Sequence, residues 1–133
     1  MAKTGKPGKA HKAKARRPVI HNIAEVDWED LAGHFGGAYS KFLVRPETTG
    51  SRQIDYRISC YQPRAYVEPH AHKVQEQVYH VLEGEGLMRI AGKRQVVRRH
   101  DVIFIPPGVK HAIYNTGLVD LVFVVVTVPI EDR

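Results

Sequence analysis

This 133-residue sequence has one cysteine, no long apolar run and no acidic residue among its first 19 positions. Its one cysteine, Cys60, excludes an internal disulfide. The longest apolar run, Leu121 to Val126, has the length of a buried strand and falls far short of the roughly 20 residues that a membrane-spanning helix needs. The first residues also lack the apolar segment of a signal peptide. We therefore expect a cytoplasmic protein with no membrane partner.

The positive charge of the chain is concentrated in its first 19 residues. The formal net charge is +6, but residues 1–19 contain seven of the 20 lysines and arginines and no acid, which leaves 13 basic and 14 acidic side chains for residues 20–133. A nearly neutral body argues against a groove that follows nucleic-acid phosphates. We expect residues 1–19 to be a disordered basic tail that contacts nucleic acid only weakly, and residues 20–133 to be one domain.

Short strand-like segments separated by turns fill the sequence from Tyr39 onward. Residues 54–60, for example, alternate between apolar and polar side chains with the period of a strand. Eight or more such segments, after one short predicted helix at Asp27 to Phe35, predict an all-β sandwich or barrel. The last strand, Leu121 to Val128, is apolar on both faces. One face must meet the core and the other a second sheet or a second copy, so we expect a homodimer.

Three histidines have the spacing of a metal site. His70 and His72 are two residues apart, so on an extended strand both side chains point the same way. His111 follows a Pro-Pro-Gly turn and comes from a different strand. An i, i+2 histidine pair joined by a third histidine is able to converge on one cation.

Two longer motifs surround these histidines. Residues 69–86 read PHAHKVQEQVYHVLEGEG, and residues 100–115 read HDVIFIPPGVKHAIYN. Together they resemble the two conserved motifs of the cupin superfamily, at about residues 64–84 and 100–115, and the chain resembles its small single-domain members. The resemblance implies a double-stranded β-helix of jelly-roll type. It also implies one divalent metal ion (Mn, Fe, Ni or Zn) and a small-molecule substrate.

The chain departs from the cupin pattern at two turns and at the fourth metal ligand. Arg64 and His100 stand where the motifs usually open with glycine, so we expect the turn at Arg64 to be rebuilt. Gln77 stands where the family usually has a glutamate, and Glu76 lies one residue earlier. Strand parity allows only one of these two side chains to point at the metal. Family spacing favours Gln77, with Glu76 as the alternative.

Several other side chains are candidates for the pocket. Tyr79 shares the parity of Gln77, and Tyr79 or Glu76 would move a proton. Tyr56 is expected to line the barrel, and Arg45 and Arg57 are candidates to bind a carboxylate with two hydrogen bonds. The five other histidines are assigned no role in the site: His11, His21, His34, His80 and His100.

The predicted ligand set is uncharged, which favours Lewis-acid chemistry over oxygen chemistry. Three imidazoles and an amide would leave the full charge on a divalent ion, which suits a Lewis acid acting on a carbonyl or carboxylate. We therefore expect an isomerase or lyase of a small oxyacid, sugar acid or carbonyl compound. The alternatives are a metal-dependent dioxygenase of a diketone or aromatic compound, and a ligand-sensing cupin that is not an enzyme.

Overall fold

A computed structural model describes residues 13–133 of the chain. Within them, eleven β-strands are joined by turns, with one short 3₁₀-helix at Ile23–Glu25 and one α-helix, α1, at Pro46–Thr49. The strands are β1 Glu29–Asp30, β2 His34–Phe35, β3 Ala38–Val44, β4 Asp55–Tyr61, β5 Tyr66–Val67, β6 Glu76–Glu83, β7 Glu85–Ile90, β8 Lys93–Arg98, β9 Val102–Ile105, β10 His111–Asn115 and β11 Leu121–Val128.

The strands form two antiparallel sheets. The first sheet has the order β1-β3-β4-β11-β6-β9, and the second has the order β2-β5-β10-β7-β8. Strands distant in sequence are therefore neighbours in space, since β11 pairs with both β4 and β6. The all-β double-stranded β-helix predicted from the sequence is confirmed.

The hydrophobic core lies between the two sheets. Val81, Phe123 and Val125 contribute from the first sheet, and Met88 and Ile113 contribute from the second. All five are at most 5% exposed. Burial of this kind is the main stabilising term in such a barrel.

The segment before β3 differs from the prediction. The helix predicted from Asp27 to Phe35 is wrong, because β1 pairs with β3 and β2 pairs with β5 in this region. Gly33, with φ of +76°, adopts a left-handed conformation between the two strands that a continuing helix cannot contain. Strand pairing, of β1 with the nearby β3 and of β2 with the more distant β5, overrides the local helical spacing.

The predicted basic tail lies partly outside the described residues, which begin at residue 13. Residues 13–19 are described, form no helix or strand, and are exposed. The backbone N–H of Lys14 donates a hydrogen bond to the carbonyl of Pro46 at 2.8 Å. Among the described residues, no helix combines the length and the hydropathy needed to cross a membrane.

Of the two β4 residues predicted to reach the pocket, Arg57 does so and Tyr56 does not. Asp55, Arg57 and Ser59 face the interior, whereas Tyr56 lies on the outer face beside residues 19–23. The expectation that Tyr56 lines the barrel is therefore wrong. The reason is that the N-terminal segment covers the outer face of β3 and β4, so the apolar side of β4 packs outward and its polar side lines the interior.

The two turns that lack glycine keep the left-handed backbone that glycine favours. Arg64 has φ of +79° and His100 has φ of +75°. The turn at Arg64 is thus retained and not rebuilt, although a left-handed residue with a Cβ costs roughly 1–2 kcal/mol. Hydrogen bonds stabilise both turns, since Arg64 N–H donates to Asn115 O at 3.0 Å and His100 N–H donates to Val81 O at 2.8 Å.

The outer face of β11 carries Val122, Val124 and Val126, all of them partly exposed. Neither sheet of the chain covers this face, because the other sheet packs on the opposite side of the strand. The homodimer that the apolar strand suggests stays a prediction.

Candidate metal centre

Three histidine side chains converge at one end of the barrel. His70 and His111 pair as an isolated antiparallel bridge, with reciprocal backbone hydrogen bonds of 3.0 and 2.9 Å. His72 lies two residues beyond His70, and its carbonyl accepts a hydrogen bond of 2.7 Å from Gly108 N–H, in the turn before His111. One ring nitrogen from each histidine lies within 4.8 Å of the other two. The separation suits three donors around a single ion.

Backbone carbonyls orient two of the three rings. His70 Nδ1 lies 2.9 Å from Glu68 O, and His111 Nδ1 lies 2.9 Å from Val109 O. A carbonyl oxygen only accepts, so each Nδ1 carries the proton and donates it. The Nε2 atom of each neutral ring is then left with a free lone pair, the form in which histidine binds a metal.

The third ring has a nitrogen without a partner. His72 Nε2 is buried and makes no hydrogen bond within the described part of the chain. An unsatisfied buried polar atom costs on the order of 1–3 kcal/mol. A metal ion bound by this nitrogen would remove the penalty, so the orphaned atom fits a metal ligand.

Burial keeps two of the three histidines, His72 and His111, neutral at physiological pH. It lowers the pKa of His111 to about 4. It also lowers the pKa of His72, and the neighbouring His70 adds to that effect. Since only the neutral imidazole coordinates a metal, these low pKa values favour metal binding over protonation.

Gln77 and Glu76 lie on opposite faces of β6. Gln77 is 8% exposed, and its Oε1 lies 3.1 Å from His111 Nε2. Its Nε2 donates a hydrogen bond of 3.0 Å to Thr127 Oγ1, which directs the amide oxygen toward the histidines. Two lone-pair acceptors thus face each other, an arrangement that a cation between them stabilises. Glu76 is exposed and does not reach the cavity.

A cavity of about 310 Å³ opens beside the histidines. Polar side chains from several strands line it together with aromatic and aliphatic ones, including Ser40, Asp55, Arg57, Ser59, His70, His72, Gln77, Tyr79, Phe123 and Thr127. The volume lies near the lower end of the range for small-molecule sites, about 300–1,000 Å³. The cavity therefore suits a small ligand.

Arg57 brings a positive charge into this cavity. Its Nε and Nη2 donate to the two carboxylate oxygens of Asp55, each at 2.9 Å, and its guanidinium lies 4.2 Å from the centre of the Phe42 ring. These contacts hold the guanidinium in place, and within residues 13–133 they leave Nη1 free for a ligand. Arg45, the other predicted carboxylate-binding residue, pairs with Glu29 at 2.7 Å and lies outside the cavity.

Tyr79 lines the cavity and is 5% exposed. Its ring stacks on Phe123 with centroids 5.5 Å apart and meets His111 edge-on at 6.1 Å. Burial raises the pKa of its hydroxyl to about 12. The hydroxyl is therefore protonated at neutral pH and is suited to donate a proton or a hydrogen bond, not to accept a proton from substrate.

His34 is a cavity residue that the sequence did not reveal. It lies on β2, and its Nδ1 is 3.0 Å from Ala32 O, which leaves Nε2 with a lone pair. Burial lowers the pKa of His34, so the ring is neutral at physiological pH. No motif marks this residue, because only the pairing of His34 with Val67 brings it to the cavity.

His80 and His100 lie apart from the site. Their ring centroids are 6.3 Å apart, and neither residue lines the cavity. They form a second pair of neighbouring histidines, without the third imidazole or the buried unpaired nitrogen found at the site.

A model of the cupin domain matches residues 57–127, more than half of the chain. The chain belongs to the cupin family. The match includes all three histidines, both sequence motifs and all of strand β11 except Val128. The family resemblance inferred from the two motifs is thus confirmed, and the three nearby histidines make this cupin a candidate metal-binding protein.

Two curated relatives share part of the sequence of this cupin. An oxalate-binding protein of Thermotoga maritima is 36% identical over 66 residues, or 50% of this chain and 54% of the relative. An uncharacterised protein of Methanocaldococcus jannaschii is 42% identical over 52 residues, or 39% of this chain and 42% of the relative. The matches thus span about half the length of these relatives.

Solved structures are similar over most of the chain. A predicted oxalate decarboxylase of Thermotoga maritima has a TM-score of 0.76 at 26% identity, covering 84% of this chain and all of that one. The polyketide cyclase RemF of Streptomyces resistomycificus has a TM-score of 0.76 at 23% identity, covering 86% of this chain and 81% of that one. At 23% identity, the similarity to RemF shows a shared fold and carries no functional information.

Proposed function

We propose that this cupin binds one divalent metal through His70, His72, Gln77 and His111 and acts on a small oxyacid by isomerase or lyase chemistry. The observation that carries the proposal is the shared cavity. His70, His72, Gln77 and the Arg57 guanidinium line the same space of about 310 Å³. His111 lies beside it, with its Nε2 3.1 Å from Gln77 Oε1. A metal and a fixed cation in one small cavity suit an anionic substrate with more than one oxygen atom.

The proposed donor set determines the chemistry that a bound metal would supply. The three imidazoles and the Gln77 amide are all uncharged, so they leave the positive charge of the ion uncompensated. A divalent metal held there would act as a Lewis acid that polarises a carboxylate or carbonyl group. A glutamate in place of Gln77 would reduce that charge.

Arg57 is suited to bind and orient the substrate. Its Nε is committed to Asp55, so a substrate carboxylate would meet Nη1 and the remaining hydrogen of Nη2. The ion pair with Asp55 and the contact with Phe42 hold the guanidinium before substrate arrives, which lowers the entropy lost on binding. One relative is an oxalate-binding protein, which supports a two-carbon dicarboxylate as the first ligand to test.

Two cavity side chains are suited to move protons. Tyr79 keeps its hydroxyl proton at neutral pH and would donate it to a substrate oxygen or carbon. Neutral His34 has a free Nε2 lone pair and would accept a proton. Glu76, the other residue considered for proton transfer, is exposed outside the cavity and has no part in this proposal.

The experiment that tests the reaction class measures products and oxygen together. The protein is loaded in turn with Mn²⁺, Fe²⁺, Ni²⁺ and Zn²⁺ and incubated with small oxyacids, 2-oxoacids, diketones and catechols. We expect turnover of an oxyacid or 2-oxoacid without oxygen uptake, because isomerases and lyases consume none. Oxygen uptake coupled to loss of a diketone or catechol would instead identify a dioxygenase. Tight binding without turnover would identify a ligand-binding protein.

Replacing Gln77 by alanine is expected to weaken metal binding about tenfold or more, because it removes a proposed ligand. Replacing Glu76 by alanine is the matched control, since it alters the neighbouring residue on the outer face of β6. We expect that control to stay within about twofold of the unmodified protein by plasma emission and competitive titration. Equal metal occupancy in the two variants would contradict the assignment of Gln77.

A further inference from the structure

The last residues of the chain fold back over the loop that joins His72 to β6. Gln75 Nε2 donates hydrogen bonds to the carbonyls of Pro129 and Ile130, at 3.1 and 2.9 Å. Asp132 accepts three backbone hydrogen bonds from the same loop. They come from Lys73 N–H at 2.9 Å, Val74 N–H at 2.7 Å and Gln75 N–H at 3.3 Å. One carboxylate therefore satisfies three successive N–H groups next to a proposed metal ligand.

Asp132 also lies beside the ring of His72. Its Oδ2 is 3.8 Å from His72 Nδ1, a distance that is too long for a hydrogen bond but places a negative charge beside the imidazole. The other two histidines meet backbone carbonyls in the corresponding position, at 2.9 Å from Nδ1. Among the described residues His72 has no such carbonyl, and Asp132 is the group that lies there instead.

We propose that Asp132 is the positioning residue of His72. By fixing the loop at Lys73–Gln75 and facing Nδ1, its carboxylate holds the ring so that the buried Nε2 atom points at the site. The inference rests on the proposed metal site and extends it to the C-terminal segment. A carboxylate behind a ligand histidine fixes its orientation and raises its basicity, and such partners typically contribute about 10–100-fold to metal affinity.

The charge of Asp132 is suited to this role. The hydrogen bonds from Val74 and Lys73 lower the pKa of its carboxyl, which is therefore ionised at neutral pH. The three histidines and Gln77 carry no charge, so a divalent ion would leave the site strongly positive. Asp132 places a negative charge close to that site without occupying a coordination position.

The test compares metal affinity in variants at two adjacent positions. Asp132→Ala removes the carboxylate, and Asp132→Asn keeps an oxygen for the loop but removes the charge. Glu131→Gln is the matched control, because Glu131 is an exposed acid one residue earlier that does not contact the loop. Zn²⁺ affinity is measured by competition with a chromophoric chelator, and thermal unfolding of the metal-free proteins is followed in parallel.

We expect Asp132→Ala and Asp132→Asn to bind Zn²⁺ at least about tenfold more weakly, with Glu131→Gln within about twofold of the unmodified protein. In a His72→Ala background, Asp132→Asn is expected to have no further effect, because Asp132 acts through that ring. A purely structural role would lower the unfolding temperature of the metal-free protein and leave Zn²⁺ affinity unchanged, which would overturn the inference. If Asp132→Ala does not fold, the Zn²⁺ affinity of Asp132→Asn tests the inference by itself.

The measurements on the unmodified protein and on the Asp132 variants distinguish failure of the proposed function from failure of the positioning role. If the unmodified protein binds no divalent metal, the proposed function fails and the inference fails with it. If the unmodified protein binds Zn²⁺ and both Asp132 variants bind it equally well, only the positioning role of Asp132 is wrong.

Discussion

A variant in which His70 and His72 are both replaced by alanine is expected to lose high-affinity binding of divalent metals. The two changes remove two of four proposed ligands, and one of them is the histidine with the buried, unpartnered Nε2. Since changes behind a ligand already cost about 10–100-fold, removing two ligands should exceed that range. Isothermal titration with Zn²⁺ and Mn²⁺ measures the loss.

The chain provides a matched control for this variant. His80 and His100 are also neighbouring histidines, with ring centroids 6.3 Å apart, but they lie outside the cavity. A His80→Ala, His100→Ala double variant removes the same number of imidazoles and is expected to keep full metal affinity. If this control loses metal binding and the first variant keeps it, the metal binds at His80 and His100 and not at the proposed site.

Replacing Asp55 by asparagine and Arg57 by glutamine together is expected to weaken oxyacid binding about a hundredfold. The double change removes the charged, two-pronged donor from the cavity without leaving a buried carboxylate unpaired. Hydrogen bonds to charged groups contribute about 1.5–3 kcal/mol, and the loss of such contacts gives an effect of this size. Calorimetric titration of the metal-loaded protein with oxalate and other short dicarboxylates tests it.

The ion pair between Glu29 and Arg45 supplies the control. Arg45 stacks on the same Phe42 ring as Arg57, with its guanidinium 3.9 Å from the ring centre, but lies outside the cavity. We therefore expect Glu29→Gln with Arg45→Gln to leave ligand affinity within about twofold. If the two double variants bind dicarboxylates equally well, Arg57 does not hold the substrate.

The sequence predicted the part of the site that depends on local spacing. His70 and His72 share one face because they are two residues apart on an extended chain, and the motif around Pro106–Gly108 indicates that His111 joins them. The same alternation predicted that only one of Gln77 and Glu76 points inward. In the structure Gln77 is buried and Glu76 is exposed. These features need only the period of a strand and a known motif.

The rest of the site depends on pairing that spacing does not reveal. The sequence named both Arg57 and Tyr56 as candidates, but only the structure shows that Arg57 lines the cavity and that the N-terminal segment covers Tyr56 on the apolar face of β4. His34 reaches the cavity only through the pairing of β2 with β5. Asp132 meets a loop that lies 57–59 residues earlier in the chain. Each of these contacts joins segments that are far apart in sequence.

The most direct test of the account is a crystal structure of the protein grown with Zn²⁺ or Mn²⁺, with anomalous data collected at the metal edge. The account predicts one strong anomalous peak per chain, bonded to Nε2 of His70, His72 and His111 and to Oε1 of Gln77 at about 2.0–2.2 Å. A peak bonded to the three histidines and not to Gln77 would contradict the fourth ligand. No peak among the three histidines, from protein saturated with either metal, would contradict the metal centre itself.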